Sequence, residues 1–192
     1  MWTSISGLGD VTLTIPLAAV CTAWLATSMH GWRIAVSWWV LLGAGMLAVG
    51  VTKILYAGCG IEIQAIHFRV ISGHTMLAAS VWSMVSILTL HDGWHVRARA
   101  ALLPGAAVAV AVAVARVFDH AHTVSEVAAG WTIGMLVVAG LLHWKAAPVL
   151  LPWRRSPAAA SMLAVCVVAY GYRSPIQAAI DTYSPFLCAP FR

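Results

Sequence analysis

ALLPGAAVAVAVAVARVFDHAHTVSEVAAGWTIGMLVVAGLL, residues 101–142, is two apolar runs on either side of a short polar turn. A helix needs roughly 17–25 apolar residues to cross a bilayer. The second run meets that length, and the first falls just short of it. Backbone polar groups in lipid have to be satisfied within the segment, so both runs read as helices. The alternating Ala-Val run at 106–114 looks strand-like, but its position between charged ends favours a helix. The turn gathers Arg116, Asp119, His120, His122 and Glu126 within eleven positions.

The rest of the chain has the same character. Of its 192 residues 61% are hydrophobic and only 9% charged, against about 25% charged in a soluble domain. Further spans are expected at 11–29, 34–52, 74–90 and, more weakly, 157–172. With 100–115 and 123–142 they predict an all-α integral membrane protein, a six-helix bundle forming a single domain over 1–192. The opening MWTSISGLGD has no Lys or Arg and no A-x-A site, so the first run is expected to be retained as a span rather than cleaved.

If six helices alternate, one face of the membrane carries Arg33, Arg97, Arg99, Lys145, Arg154 and Arg155. The other carries Lys53, Arg69, Arg116, Arg173 and Arg192. The positive-inside rule makes the first face cytoplasmic. Trp32, Trp94, Trp144 and Trp153 share that face as interfacial anchors. The polar turn then faces the periplasm or exterior, with the chain in the inner (plasma) membrane. The net charge of +5 is accounted for by basic loops beside anionic lipid head groups, and no nucleic-acid partner is expected. Cys21 and Cys166 lie within spans and read as small apolar residues. Cys59 and Cys188 fall on the outer face, where a disulfide persists if the geometry permits it.

Three polar clusters share that outer face: Lys53, the FRVISGHT stretch with Arg69, Ser72, Gly73 and His74, and the turn at 116–126. Each has a simple structural reading. Ser72 is a good N-cap, Thr123-Val-Ser-Glu126 matches a capping box, and Lys53 can snorkel to the interface. Together they say more, because ionisable residues at membrane depth are costly and usually face a polar interior. His122 and Glu126 are four apart and share a helix face. A carboxylate beside an imidazole fixes its tautomer and leaves the other nitrogen as a nucleophile. Lys53, Arg116 and Arg69 concentrate positive charge, and the helix start after Ser72-Gly73 offers N–H groups to an anion. That inventory suits phosphoryl transfer.

These residues resemble the type 2 phosphatidic acid phosphatase superfamily, whose signature is K-x6-R-P, then P-S-G-H, then S-R-x5-H-x3-D. Here Lys53 is followed by Ser72-Gly73-His74, and Arg116, His122 and Glu126 keep the spacing of the third motif. The resemblance covers about residues 50–140. It implies His122 as the nucleophile that forms a phosphohistidine, Glu126 orienting it, and His74 as general acid and then base. Lys53, Arg116, Ser72, the Gly73 N–H and, in place of a missing motif arginine, Arg69 would bind phosphate. No metal or cofactor is implied. Gly60 and Ile61 stand where the first motif has Arg-Pro; Ile71 replaces Pro, Ala115 replaces Ser, and Glu126 replaces Asp.

The activity so implied is hydrolysis of a membrane lipid phosphate or diphosphate: undecaprenyl diphosphate, phosphatidylglycerophosphate, phosphatidic acid or a lipid A phosphate. A lipid phosphotransferase is the close variant. Two other classes are a metal site from His74, His120, His122 and Glu126, and a non-enzymatic haem carrier or small transporter using the histidines as ligands.

Overall fold

A chain this apolar has to close its backbone hydrogen bonds within each segment, and it does so as helices. The computed structural model describes residues 1–27, 31–91, 97–144, 150–172, 179–180 and 182–184. In chain order the helices are α1 (Trp2–Ser6), α2 (Val11–Ala26), α3 (Gly31–Cys59), α4 (Gly73–Leu90), α5 (Ala98–Ala101), α6 (Leu103–Phe118), α7 (Val124–Trp144) and α8 (Pro152–Ala169). Short 3-10 turns lie at Gly7–Gly9 and Gln64–Ile66. There is no strand among the described residues; a single bridge between Ile63 and Phe68 pinches the loop between α3 and α4. The Ala-Val run at 106–114 lies inside α6.

Among the described residues four segments are long and apolar enough to cross a bilayer: α3, α4, the continuous α5–α6 stretch Ala98–Phe118, and Val124–His143 of α7. The expected boundaries shift in instructive ways. α3 has 29 residues, about 44 Å at 1.5 Å per residue, and runs well past the expected 34–52. It ends where Gly60 adopts a left-handed φ of 67° and its N–H bonds the Tyr56 carbonyl at 2.9 Å, a glycine C-cap. Lys53 and Tyr56 therefore sit on helix rather than in a loop. α2 has only 16 residues, short of the roughly 30 Å hydrocarbon core. It meets the length test only together with α1 and the turn before it, a pair bent by 41°. α8 starts at Pro152 rather than at 157 and carries Arg154 and Arg155 near its start. It is not among the four.

The bundle is organised around α4, of which 61% is buried, against 33% to 39% for the other three spans. Its close neighbours are α6 and α7, with α2, α3 and α8 on its remaining sides. Close approach is made possible by glycine, as is usual where helices pack in lipid. A Cβ at Gly105 of α6 would run into the backbone of Trp82 and Ser83. One at Gly134 of α7 would meet the Met76 carbonyl, and one at Gly130 the Ser72 carbonyl. Trp38, Leu17, Leu42, Met84 and Ile87 fill the core between α2, α3 and α4. Val36, Val40, Leu47 and Val51 of α3 are exposed; three and four apart in multiples, they form an outward stripe of the kind that faces lipid.

These contacts yield a direct test of the packing. Gly105→Val should lower the thermal midpoint in detergent by the equivalent of about 2 kcal/mol or more, because backbone cannot yield as a side chain can. Gly43→Ala, where a Cβ meets nothing within 4 Å, should change it by less than about 0.5 kcal/mol. Equal midpoints for the two variants would show that α4 and α6 are not in backbone contact.

Candidate active site

The polar residues of the sequence converge. Lys53 comes from the last two turns of α3, Arg69 from the loop, and Gly73 and His74 from the start of α4. Arg116 comes from the end of α6, and His122 and Glu126 from the turn and first helical turn of α7. All seven line one cavity of about 610 Å³. Met46, Val49, Met76 and Leu77 line it as well, so the cavity has a polar and an apolar part.

Glu126 is its most constrained member, with only 1% of its surface exposed. Oε2 accepts from His122 Nδ1 at 2.8 Å and from the Thr123 N–H at 3.1 Å. Oε1 accepts from the N–H groups of Arg69 at 2.9 Å and Val70 at 3.3 Å. Arg69 Nε lies 3.7 Å from the same oxygen. The bond to Thr123 N–H is half of the expected capping box; the Thr123 hydroxyl instead donates to the His67 carbonyl. The capping role and the imidazole contact therefore belong to the same carboxylate. A carboxylate only accepts, so the His122 ring carries its proton on Nδ1 and Nε2 keeps its lone pair. Burial lowers the His122 pKa to about 4; the charges of Arg116 and Lys53 add to the effect, and the Glu126 bond opposes it. Near neutral pH the ring is uncharged.

The cations are held differently. Arg116 donates from Nη1 to Ser6 Oγ at 3.2 Å, and its buried Nε has no hydrogen-bond partner among the described residues. The Arg69 guanidinium lies 5.7 Å from the centre of the Tyr56 ring, at the cavity and next to Glu126. Gly73 opens α4, and the first N–H groups of a helix have no acceptor within it.

Ser72 departs from its expected place in the cradle. It is fully buried, its hydroxyl pairs with Thr75 Oγ1 at 3.0 Å, and it does not line the cavity. It occupies the N-cap position of α4 without making a side-chain cap bond. Ser72 is packed between α4 and α7: a Cβ at Gly130 would meet its carbonyl, and its N–H bonds the Glu126 carbonyl at 3.2 Å. Asp119 and His120 lie beyond the cavity; His120 is exposed, in a left-handed conformation with φ 54°. Among the described residues no group of three or more His, Cys, Asp or Glu is placed to hold a metal ion. The proposed set with His120 is thus not assembled.

Sequence reasoning passed over the amino-terminal segment. Asp10 caps α2, lines the cavity and places Oδ2 3.5 Å from His74 Nε2. Its signal was an Asp directly before an apolar run, which marks a helix start and nothing more. Tyr56 lies on the part of α3 beyond the expected span end at Thr52. Cys59 is disulfide-bonded, whereas Cys21 and Cys166 are free; its expected partner, Cys188, lies outside the described residues. So do Trp94, Lys145, Arg173 and Arg192.

No family model matches the chain, and no solved structure matches it. It is similar to a Klebsiella pneumoniae protein described as an uncharacterized 22.5 kDa protein in the cps region, at 32% identity over 134 residues. The match takes in 69% of this chain but 64% of that relative, so the chain spans less than two thirds of the relative's length.

Proposed function

We propose that this membrane protein is a lipid phosphate or diphosphate phosphatase of the type 2 phosphatidic acid phosphatase kind, working through a phosphohistidine at His122. The observation that carries the reading is the His122–Glu126 pair at 2.8 Å in a cavity shared with Lys53, Arg69, Arg116 and His74. In this reading the bent α1–α2 pair and α8 complete six spans. The cavity then opens to the periplasm or exterior of a bacterial inner membrane.

The chemistry follows from the atoms. The phosphoryl oxygens bind Lys53, Arg116 and the N–H groups at the start of α4, where cations and a helix dipole stabilise the charge that builds up in transfer. Arg69 takes up the role of the absent motif arginine. His122 Nε2 attacks phosphorus while the bond to the lipid oxygen breaks, and the departing oxygen takes a proton from His74. Water then attacks the phosphohistidine, His74 takes the water's proton, and the P–N electron pair returns to Nε2. Inorganic phosphate leaves. An acceptor alcohol in place of water would make the same site a phosphotransferase. The apolar side of the cavity, with Met46, Val49 and Leu77, suits a substrate whose chain stays in lipid.

Phosphate release from undecaprenyl diphosphate, phosphatidylglycerophosphate, phosphatidic acid and lipid A tests the proposal, with purified protein in detergent and EDTA. Release from at least one is expected; an inert protein carrying a Soret band would replace this reading with haem binding. The pH profile provides a second check. Uncharged His122 is the nucleophilic form, so kcat/KM should fall as pH drops through its pKa, which is lowered to about 4. The acid limb arising from His122 therefore stands near pH 4 rather than near the ordinary histidine value of about 6.5. Arg116→Met removes a positive charge that disfavours the imidazolium, and should move that limb to higher pH. A limb at the ordinary value in wild type, unmoved by Arg116→Met, would contradict the buried placement of the ring.

A further inference from the structure

We propose that Asp10 is a positioning residue for His74, holding the imidazole with its proton on Nε2 so that Nδ1 exchanges protons with the leaving and attacking oxygens. The inference rests on the phosphatase reading and extends it to a residue outside the stretches that carry the family resemblance.

The capping role of Asp10 accounts for only one of its oxygens. Oδ1 accepts from the Thr12 N–H at 2.9 Å and from the Thr12 hydroxyl at 2.8 Å. Asn, Ser or Thr caps a helix about as well. The second oxygen, Oδ2, faces His74 Nε2 at 3.5 Å, and a neutral cap would not supply a charge there. Fixing Oδ1 at the start of α2 also fixes the direction of Oδ2.

The segment that carries Asp10 is docked firmly on α4. A Cβ at Gly9 would stand 2.5 Å from the His74 carbonyl oxygen, so only glycine allows this approach. Trp82 Nε1 of α4 donates to the Leu8 carbonyl at 2.8 Å, and the Arg116 guanidinium holds Ser6 at 3.2 Å. Carboxylate and imidazole are brought together by three independent contacts.

The charges around His74 give this pairing a purpose. Lys53 from α3, Arg69 from the loop and Arg116 from α6 line the cavity as cations, together with His122 from the turn before α7 and Glu126 from its first turn. Glu126 is committed to His122 and to three backbone N–H groups. Three cations oppose a protonated imidazole, while the first step needs a proton on His74. Asp10 is the carboxylate in contact with that ring, and it offsets them. When Nδ1 has delivered its proton to the departing lipid oxygen, Nε2 retains its own proton against Oδ2. Nδ1 is then free to take the proton of the attacking water, which restores the starting state.

Asp10→Asn tests this in the full chain, since it keeps the cap acceptor and removes the charge. With the lipid phosphate that the wild type cleaves fastest, kcat should fall about tenfold or more while KM stays within about twofold. Asp10→Glu should restore part of the rate. Nitrogen-15 spectra of the histidines, recorded where the rings are neutral and with the His74 signal identified by its loss in His74→Gln, should show the Nε2–H tautomer in wild type and a mixture in Asp10→Asn. A variant with wild-type kcat and His74 signal overturns the proposal and leaves Asp10 a helix cap. A wild type that releases phosphate from none of the lipids fails the phosphatase reading, and the catalytic role of Asp10 with it. An unchanged His74 signal in an active enzyme rejects the Asp10 role alone.

Discussion

His122→Ala should reduce phosphate release at least about a thousandfold, the scale on which removal of a covalent nucleophile is felt. The expectation follows from what the rest of the site can still do. Lys53, Arg116 and the start of α4 would continue to bind the phosphate, so KM should change little. In this scheme His74, the cavity's other imidazole, is occupied as general acid and base, so nothing replaces Nε2 as the nucleophile. Alanine also strips Glu126 Oε2 of the bond at 2.8 Å. Leaving a buried polar group short of a partner costs about 1–3 kcal/mol, and a loss of activity could be confused with a loss of fold. His122→Asn separates the two, because its amide can still donate to Glu126 but has no nucleophilic nitrogen. It should fold like wild type and be as inactive as the alanine variant. Wild type given labelled substrate and quenched rapidly should carry an acid-labile, alkali-stable phosphoryl group, absent from both variants. An active His122→Asn would remove the nucleophile from the scheme.

The parts of this architecture that were legible in the sequence are those governed by composition and short spacing. The i, i+4 relation puts His122 against Glu126 on any helix, and the alternation of spans brings Lys53, His74 and Arg116 to one level. Length was harder, because hydropathy marks where lipid ends and not where a helix ends. α3 continues through Lys53 and Tyr56 to a glycine cap at Gly60, which the apolar run could not announce. Ser72 was misplaced for a related reason. It does precede α4, but its hydroxyl pairs with Thr75 Oγ1 inside the packing with α7 rather than at the cavity. Asp10 was hidden by distance: 64 residues separate it from His74, and only the close approach at Gly9 brings the two together. Positions set by local geometry are legible in the sequence, and those set by packing are not.

Glu126→Gln is nearly isosteric and should nevertheless reduce the rate by about 10³–10⁴-fold, through the tautomer of His122. The carboxylate serves four partners with two oxygens: the Arg69 and Val70 N–H groups on Oε1, and Thr123 N–H and His122 Nδ1 on Oε2. An amide has one oxygen. If that oxygen stays with the loop, the NH₂ group faces His122 and the Thr123 N–H; it forces Nδ1 to accept and leaves one backbone donor against a donor. The proton moves to Nε2, and the attacking nitrogen loses its lone pair. If the amide is turned over, His122 keeps its tautomer but the Arg69 and Val70 N–H groups face an NH₂, and the loop carrying Arg69 must shift. Two backbone donors against a donor cost more than the one at Thr123, so the first arrangement is favoured and a folded, slow enzyme results. The same four contacts give glutamate a purpose where the resembling family has aspartate. Its extra methylene lets one carboxylate span from the imidazole to the loop at residues 69 and 70. Glu126→Asp should accordingly keep the His122 tautomer and lose the loop contacts, so that it is more active than Glu126→Gln but less stable to heat. Nitrogen-15 spectra of His122 read the tautomer in each variant, and a Glu126→Gln enzyme with wild-type turnover would reduce Glu126 to the capping residue that its sequence motif describes.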